Sequence, residues 1–438
     1  MKLLFVDNYR GFANQFIPLE EVNFFLGENS TGKSSILALI NLFSSPLLWF
    51  RQEFNTDEFQ LGNYRDIVSI NAADSSFFRI GLIQRPERQT EGKSSSVCTF
   101  LMEFHEKYGI PSIYKYCYVN KTNAVQIFFT NKGIEYKVDS IDYSSDPDRR
   151  MMEIFQSWLV SKTEKADFKK LKAPNSIRFG APLPIIEDLI NEETKIGKKG
   201  DEVSLLWHMP DFAHNFVWIA PIRSKPKRTY DQIKYNFSPE GDHTPYLIRK
   251  FLENNKSKRA LEFRKFMKKY GSESGLFKDL EIKKFGRDAA SPFELRIILE
   301  DEPLNISNVG YGVSQSLPIL VELFARPQNS WFAIQQPEVH LHPRAQAALG
   351  AIFYNLALLG KKQFFIETHS DFIIDRFRLK VRQGKEPLGA QVIFFEQVNG
   401  INKAYTIKIL SDGKYAEKQP ESFRRFFIKE ELSVLGIR

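Results

Sequence analysis

The segment GENSTGKSS, from Gly27 to Ser35, has the spacing G-x-x-x-x-G-K-[ST] of loops that bind phosphate groups. Its glycines allow the backbone to wrap closely around an anion, so that several N–H groups can point inward. The strand-like run VNFFLG precedes the segment, and SSILALINLF follows it with helical apolar spacing, as such a loop requires. We therefore predict a nucleotide-binding cradle formed by Gly27, Asn29, Ser30, Thr31, Gly32, Lys33, Ser34 and Ser35.

Two side chains of this cradle are predicted to have separate chemical roles. Lys33 should reach the β- and γ-phosphates of a nucleotide, and the Ser34 hydroxyl should ligate Mg²⁺. The helix predicted to begin near Lys33 adds the partial positive charge of its N-terminal end. The predicted cofactors are therefore ATP and Mg²⁺.

Three segments in the second half of the chain carry further chemistry. NVGYGVSQSLPILVELF, from Asn308, reads as a Gly-rich turn that leads into an amphipathic helix. WFAIQQPEVHLHPRAQAALG, from Trp331, reads as a buried strand, a His-containing loop and a helix, and KQFFIETHSDFIIDRF contains a second strand that ends near His369. Gly-rich turns before helices are common as helix caps, so the first segment indicates a function only together with the other two.

With these segments the chain resembles the ABC-type ATPases related to the RecF, SMC and OLD heads. Within that class it is most similar to the group found in bacterial anti-phage defence operons, and there to the Septu ATPases, PtuA. The matching segments are GENSTGKSS, WIAPIRSKPKRTY, GDHTPYLIR, VGYGVSQSLPIL, QQPEVHLHP and ETHSDFIIDR. They cover both expected lobes of such a head but not the region between about residues 100 and 210.

The resemblance implies an α/β fold, the two-lobed P-loop head of an ABC ATPase with a mixed sheet and an inserted lid or dimerisation region. In such a dimer, Gly312, Ser314 and Gln315 would lie opposite the cradle of the other subunit and bind its γ-phosphate. His369 would contact the γ-phosphate and the attacking water. Arg223 would add a phosphate or interface contact, and Gln60 lies where such heads carry the glutamine loop that senses Mg²⁺.

The chain departs from this pattern at the end of the strand WFAI. An acidic pair is usual there, but this sequence has Gln335 and Gln336, and a glutamine is neither a good Mg²⁺ ligand nor a general base. Either Glu338 or Glu367 replaces the pair, or hydrolysis is slow and ATP acts as a structural ligand. We expect that hydrolysis is retained but weak. The catalytic set is Glu338, His369 and Gln336. The Mg²⁺ set is Ser34, Gln60 and Gln335.

His340 and His342 flank Leu341 close to Glu338, a spacing that could bind a metal ion. The simpler interpretation is that HLHP is a loop leading into the helix RAQAALGAIFYNLALLG. In that case the histidines cap the helix or line a dimer interface.

Pattern and composition suggest four regions. Residues 1–100 form the N-terminal lobe with the P-loop, and residues 101–215 an inserted region of strands followed by the helical stretch DRRMMEIFQSWLVSKTEKADFKKL and the charged linker NEETKIGKKGDE. Residues 216–289 contain a strand, a basic loop and a helical arm. Residues 290–438 form the C-terminal lobe, and its amphipathic tail ESFRRFFIKEELSVLGIR either packs on its own domain or docks a partner.

The composition of the 438 residues limits the remaining possibilities. No run of about 18 uncharged apolar residues occurs, so we expect no membrane span. The apolar stretch at the start is too short for a signal peptide. Two cysteines cannot build a disulfide framework or a Cys-rich zinc site, so we expect a cytoplasmic protein. The net charge of +8 permits contact with nucleic acid but does not require it.

Too few residues follow ETHSDFIIDRF for the TOPRIM nuclease domain of an OLD-type protein. We therefore expect a sensor or scaffold subunit that forms a homo-dimer or higher oligomer and controls a separate nuclease, of the HNH type if the chain is PtuA-like. One alternative is a RecF- or SMC-like ATPase of DNA repair that clamps DNA without an effector. Another is a scaffold in which ATP only joins subunits.

Overall fold

The computed structural model describes most of the chain. The described residues are 2–56, 58–84, 99–119, 123–141, 146–160, 167–172, 183–194, 210, 213, 215–232, 234–253, 257–288, 290–300 and 302–426.

Seventeen β-strands occur in the described residues. In chain order they are β1 (Lys2–Asp7), β2 (Gln15–Pro18), β3 (Val22–Gly27), β4 (Phe77–Gln84), β5 (Thr99–Lys107), β6 (Ile110–Val119), β7 (Asn123–Thr130), β8 (Gly133–Ser140), β9 (Lys169–Lys170), β10 (Phe216–Ile219), β11 (Asp279–Lys284), β12 (Phe293–Ile298), β13 (Pro303–Asn305), β14 (Trp331–Gln335), β15 (Gln363–Glu367), β16 (Ala390–Val398) and β17 (Ile401–Lys408).

Eleven α-helices occur in the same part of the chain. They are α1 (Lys33–Ser44), α2 (Pro46–Arg51), α3 (Tyr64–Ile67), α4 (Pro147–Leu159), α5 (Leu183–Thr194), α6 (Thr244–Glu253), α7 (Lys258–Ser274), α8 (Tyr311–Ala325), α9 (Pro343–Gly360), α10 (Asp371–Gln383) and α11 (Glu421–Phe426). None of the described helices is both long enough and apolar enough to cross a membrane.

The chain folds into two compact units. Unit 1 comprises Met1–Glu20, Glu28–His214 and Phe395–Thr406, and unit 2 comprises Glu21–Gly27, Asn215–Phe394 and Ile407–Arg438. The division falls between β3 and the loop that follows it, and again within β16 and β17. The four regions predicted from the sequence were delimited by motifs and composition, not by contacts, and they stay a prediction.

Unit 1 is built on an eight-stranded sheet of order β2-β1-β4-β5-β6-β7-β8-β9, whose neighbouring strands are all antiparallel. The apolar stripe of α4 packs on this sheet, with Phe155 and Trp158 fully buried against residues such as Phe5 and Leu101. The spacing of Met151, Ile154, Phe155 and Trp158 is that of one helix face, which explains why this segment buries as a helix.

Unit 2 contains the parallel part of a six-stranded sheet of order β10-β14-β15-β3-β16-β17. Strands β10, β14, β15 and β3 are parallel, and α9 connects β14 to β15. These strands are nearly continuous apolar runs such as WFAI and FFI, as expected where both faces of a parallel sheet are covered. Their carboxyl ends therefore lie along one edge of the sheet.

Most elements predicted around the motifs are confirmed. VNFFLG forms β3, the following helix begins at Lys33, the two later strands are β14 and β15, and RAQAALGAIFYNLALLG lies in α9. The α/β fold class is also confirmed. The tail predicted to be one amphipathic segment forms α11 only as far as Phe426, and its remainder lies outside the described residues.

Two local predictions in the inserted region were wrong. The helix predicted across DRRMMEIFQSWLVSKTEKADFKKL ends at Leu159, and Lys169–Lys170 form β9 instead. The reason is a distant partner, because Tyr136 and Glu135 of β8 pair with these lysines. The predicted linker NEETKIGKKGDE begins inside α5, which ends at Thr194, and the rest of it lies outside the described residues.

Candidate functional site

The predicted cradle begins where β3 ends, at Gly27, and continues through unit 1 into α1. Thr31 Oγ1 and Lys33 Nζ both donate hydrogen bonds to the carbonyl oxygen of Glu28, over 2.8 Å and 2.6 Å. The Lys33 amine therefore points back into the curve of the loop, although Lys33 itself is the first residue of α1. Lys33 is only 4% exposed, whereas Ser34 is exposed at the first turn of the helix.

A glycine is required at position 32 by both its backbone and its surroundings. Gly32 precedes α1 with a φ of 97°, and a Cβ there would lie 2.5 Å from two ring carbons of Phe12. Asn402 supports the same place, because its side-chain amide donates to the Arg10 carbonyl over 3.0 Å and would lie 3.1 Å from that Cβ. The bare backbone and the helix N-terminus suit a phosphate chain, so the residues present fit ATP.

The carboxyl ends of β3, β14 and β15 are joined by hydrogen bonds in unit 2. The side-chain amide of Gln335 donates to a carboxylate oxygen of Glu367 over 2.8 Å, and the Gln336 N–H donates to the Glu367 carbonyl over 2.7 Å. The Thr368 N–H donates to the Phe25 carbonyl over 3.1 Å. Gln336 has a φ of 44°, so the chain turns sharply directly after β14.

Glu338 links the loop after β14 to the turn after β15. One of its carboxylate oxygens accepts from the Thr368 hydroxyl over 2.8 Å, and the other accepts from the His369 N–H over 2.7 Å. Both bonds are made to residues 30 or more positions away in the sequence. The carboxylate thus holds the backbone of His369, the predicted γ-phosphate contact, in a defined position.

Arg223 is buried behind the same edge, only 3% exposed. Its Nη2 donates to the carbonyl oxygens of Gln335 and Gln336 over 2.9 Å and 3.1 Å. Burial lowers the pKa of the guanidinium to about 10, and the charge of Glu338 opposes this shift. Within the described residues Nε and Nη1 have no hydrogen-bond partner. The guanidinium therefore positions the turn after β14, and its Nε and Nη1 donors stay available for another acceptor.

The Gly-rich turn before α8 packs on the loop that follows β14. A Cβ on Gly312 would lie 2.8 Å from the His340 carbonyl oxygen, and the rings of Tyr311 and His340 are 5.5 Å apart. The Gln315 side-chain amide approaches the Arg223 carbonyl at 3.5 Å. Ser314, in the first turn of α8, donates to the Tyr311 carbonyl over 2.9 Å. Unit 2 thus brings the predicted signature turn, Arg223 and the β14 loop together.

Comparison with known proteins identifies the class of this site. The family model described as an AAA ATPase domain matches residues 1–78 and 219–374, which together make up just over half of the chain. The chain belongs to this family of AAA ATPase domains. The matched ranges contain the cradle, Arg223, the signature turn, the β14 loop and His369. The prediction of an ATPase domain from the motifs is therefore confirmed.

Solved structures that are similar to the chain include heads of SMC proteins. One is the Smc head that was solved bound to the C-winged helix domain of ScpA. Its sequence identity to this chain is 9% and the TM-score is 0.42, with 93% of this chain and 97% of that chain covered. Another is the SMC head domain from Thermotoga maritima, 12% identical with a TM-score of 0.37, with 93% of this chain and 99% of that chain covered. No curated protein matches the chain.

The structure places the predicted site residues of this AAA ATPase domain in two sets. Unit 2 holds Gln335, Gln336, Glu338, His369, Arg223, Gly312, Ser314 and Gln315, together with Gly27 at the end of β3. Unit 1 holds Asn29, Ser30, Thr31, Gly32, Lys33, Ser34, Ser35 and Gln60. Gln60 is exposed and forms a β-bridge with Asn55, and within the described residues no hydrogen bond joins it to the cradle.

The two loop histidines have different surroundings. His342 caps α9, with its Nδ1 accepting from the Ala345 N–H over 3.3 Å, so capping is confirmed for this residue. His340 is exposed beside Tyr311. In the described part of the chain no group of three or more His, Cys, Asp or Glu side chains could hold a metal ion.

Several contributing residues were not found from the sequence. Phe12 and Asn402 close the space behind Gly32, and the Tyr9 hydroxyl donates to the Ser35 carbonyl over 3.1 Å. Thr368 was quoted within a motif but given no role, although it bonds to Glu338. Asn402 is hydrogen-bonded to Arg10, which lies 392 positions earlier in the chain. No local sequence pattern therefore indicates that Asn402 lies near the cradle.

Substitution of Gly312 by alanine should weaken the packing of the signature turn. The new methyl group would lie 2.8 Å from the backbone oxygen of His340, which cannot move as a flexible side chain could. We expect a loss of about 1–2 kcal/mol in the free energy of unfolding, the overpacking cost less the small helix-propensity gain of alanine. Urea-induced unfolding measures this loss.

Gly310→Ala is the matched control for this substitution. Gly310 immediately precedes α8, has a φ of −58°, and an added Cβ there meets nothing within 4 Å. Equal midpoints for the two variants would show that the contact with His340 does not constrain the turn.

Proposed function

We propose that this AAA ATPase domain is an ATP-dependent switch that dimerises around bound nucleotide and hydrolyses it slowly. The observation that supports this proposal most directly is the chemistry at the end of β14. Two neutral glutamines occupy the usual acidic positions, and the nearest carboxylate, Glu338, accepts hydrogen bonds from Thr368 and His369. A carboxylate engaged in this way keeps only part of its lone-pair capacity for a water molecule, so proton abstraction should be inefficient.

The cradle residues are proposed to bind ATP, and Ser34 and Gln335 to contribute to Mg²⁺ binding. Lys33 would hold the β- and γ-phosphates and the N-terminus of α1 would add positive charge. When bound, Mg²⁺ neutralises phosphate charge. Glu338 would position the backbone of His369, and Arg223 would fix the Gln335–Gln336 turn through its two carbonyl contacts.

The proposed dimer uses the signature turn of each subunit. Gly312, Ser314 and Gln315 would contact the γ-phosphate held by the cradle of the second copy. Support comes from the exposed position of Gly310 and Tyr311 at the start of α8, next to Ser314. Nucleotide binding would thereby control whether two heads associate.

We further propose that the oligomer acts in the cytoplasm and controls a separate nuclease in anti-phage defence, as in Septu systems. The motifs QQPEVHLHP and ETHSDFIIDR support this proposal. The effector would be an HNH-type nuclease, and its copurification with the chain tests this part. Salt-sensitive DNA binding by the isolated chain would instead favour the RecF- or SMC-like alternative.

Ser314→Ala tests the proposed dimer. Removal of this hydroxyl should leave ATP binding to the cradle of the same subunit unchanged but reduce ATP-dependent dimerisation about tenfold, the effect of losing one hydrogen bond to a charged phosphate. The mass of the wild type and the variant, measured by light scattering across an ATP titration, gives the dimerisation constant.

Ser316→Ala is the control on the same helix. Ser316 is fully buried, and like Ser314 it donates to the carbonyl three residues earlier, here that of Val313 over 2.9 Å. If both variants dimerise like the wild type, or if the wild type shows no mass increase with ATP, the dimer proposal fails.

A further inference from the structure

A narrow cleft in unit 2 lies between the basic loop after β10, the start of α6 and the first turns of α8. The residues that matter in its lining are Ser224, Lys225, Lys227, Lys234, Thr244 and Ser314. We propose that this cleft binds a phosphoryl group, as a site additional to the cradle. This binding does not require the proposed ATP hydrolysis, although Ser314 belongs to both places.

The charge of the cleft favours an anion. Lys225 and Lys227 are exposed and line the cleft. The hydrogen bond with Ser224 has the largest effect in lowering the pKa of the Asp242 carboxyl, and the charges of Lys234 and Lys227 help to lower it. The acidic side chain in the lining, Asp242, is already engaged. One of its oxygens accepts from the Ser224 hydroxyl over 2.5 Å, and the other lies 3.4 Å from the Lys234 amine. The lining therefore holds three lysines against this one aspartate, and a net positive charge remains.

A buried hydroxyl in the lining supplies an independent reason to expect a ligand. Thr244 is only 2% exposed, and its Oγ1 has no hydrogen-bond partner within the described residues. A buried polar atom left in this state is unfavourable, so such atoms usually have a partner. An oxygen atom of an anion in the cleft would accept this hydrogen bond.

The backbone dipoles of two helices also favour an anion in the cleft. Thr244 is the first residue of α6, and Ser314 is in the first turn of α8, so two helix N-termini border the cleft. Each carries partial positive charge. Helix α6 has ten residues and α8 has fifteen, which is long enough for this charge to develop.

The size of the cleft restricts the ligand. Its volume of about 40 Å³ is far below the roughly 300–1000 Å³ of pockets that enclose whole organic ligands. A tetrahedral phosphoryl group fits this description better than a base or a sugar would. The group could be inorganic phosphate or the terminal phosphate of a nucleotide, because both present the same oxygens to the cleft.

Equilibrium dialysis with radiolabelled orthophosphate tests the proposal. The phosphate-binding measurements use the full chain carrying Lys33→Ala, so that the cradle does not contribute. We expect saturable binding that falls at least about tenfold in Lys225→Ala/Lys227→Ala, since two charged donors are lost. Thr244→Val, which replaces the hydroxyl by a methyl group of similar size, should weaken binding about fivefold.

Lys265→Ala/Lys269→Ala is the matched control, because it removes the same charge from exposed positions of α7. This control should bind phosphate as well as its parent. Binding that is absent in the parent, or unchanged in the Lys225/Lys227 variant, or equally weakened in the control, would overturn the proposal. The lysine variant alters exposed side chains, so the test stands even if Thr244→Val is unstable.

Competition then distinguishes the two sources of the phosphoryl group. Displacement of the label by ATP at concentrations similar to those of phosphate itself would assign the cleft to a nucleotide terminus. Displacement by phosphate and pyrophosphate but not by ATP would assign it to the free ion. Unchanged ATP-dependent dimerisation of Lys225→Ala/Lys227→Ala, measured with Lys33 intact, would separate this site from the proposed switch.

Discussion

Lys33→Ala should reduce ATP binding and phosphate release more than any other single substitution in this chain. The Lys33 amine lies inside the curve of the cradle, 2.6 Å from the Glu28 carbonyl, and is the charged side chain that α1 places there. Removing a preorganised positive charge from a phosphate site lowers turnover by about a hundredfold or more. Phosphate release and nucleotide binding, measured on the same sample, give both effects.

Lys132→Ala controls for the loss of one positive charge in unit 1. Lys132 is exposed in the turn between β7 and β8, away from the predicted motifs. Its variant should bind and hydrolyse ATP like the wild type. If Lys33→Ala retained wild-type affinity for ATP, GENSTGKSS would not be the nucleotide site.

Glu338→Gln should reduce phosphate release and destabilise unit 2. The substituted amide can present only one oxygen to the two donors that Glu338 now satisfies, the Thr368 hydroxyl and the His369 N–H. The unfavourable contact of a donor with a donor should cost about 1–3 kcal/mol in the free energy of unfolding. Phosphate release should fall by about tenfold or more, because the turn that carries His369 loses its support.

Two comparison variants give this result its meaning. Glu386→Gln makes the same chemical change at an exposed position after α10 and should have no effect. Glu367→Gln removes the other carboxylate at the sheet edge, which accepts from the Gln335 amide. Equal phosphate release above background by Glu338→Gln and the wild type would contradict a role for Glu338. A larger loss in Glu367→Gln would transfer that role to Glu367.

The effects of these substitutions on stability and turnover are separable. A purely structural role for Glu338 predicts that the apparent turnover number falls in proportion to the fraction of folded protein, while the Michaelis constant stays unchanged. A positioning role predicts that turnover falls at temperatures where the variant is fully folded. Circular dichroism of the same preparation establishes that fraction.

The sequence alone determined the strand-loop-helix around the cradle and the order of the motifs. Apolar periodicity and a Gly-Lys-Ser loop act over a few residues, so VNFFLG could be assigned to β3 and the helix start to Lys33 without tertiary information. The apolar runs of β14 and β15 and the apolar spacing of α9 were readable for the same reason. The substitution of the acidic pair by Gln335 and Gln336 was also visible there.

Only the tertiary structure decided how these parts are connected. Arg223 bonds to carbonyls 112 and 113 positions away, and Glu338 bonds to the turn that β15 carries. Similarly, Lys169 and Lys170 form a strand because they pair with β8, although their local sequence pattern favours a helix. Local periodicity reports which face of an element is buried, but it carries no information on which distant group will meet a given polar atom. The partners of Glu338, Arg223 and Gly32 therefore had to be seen in the folded chain.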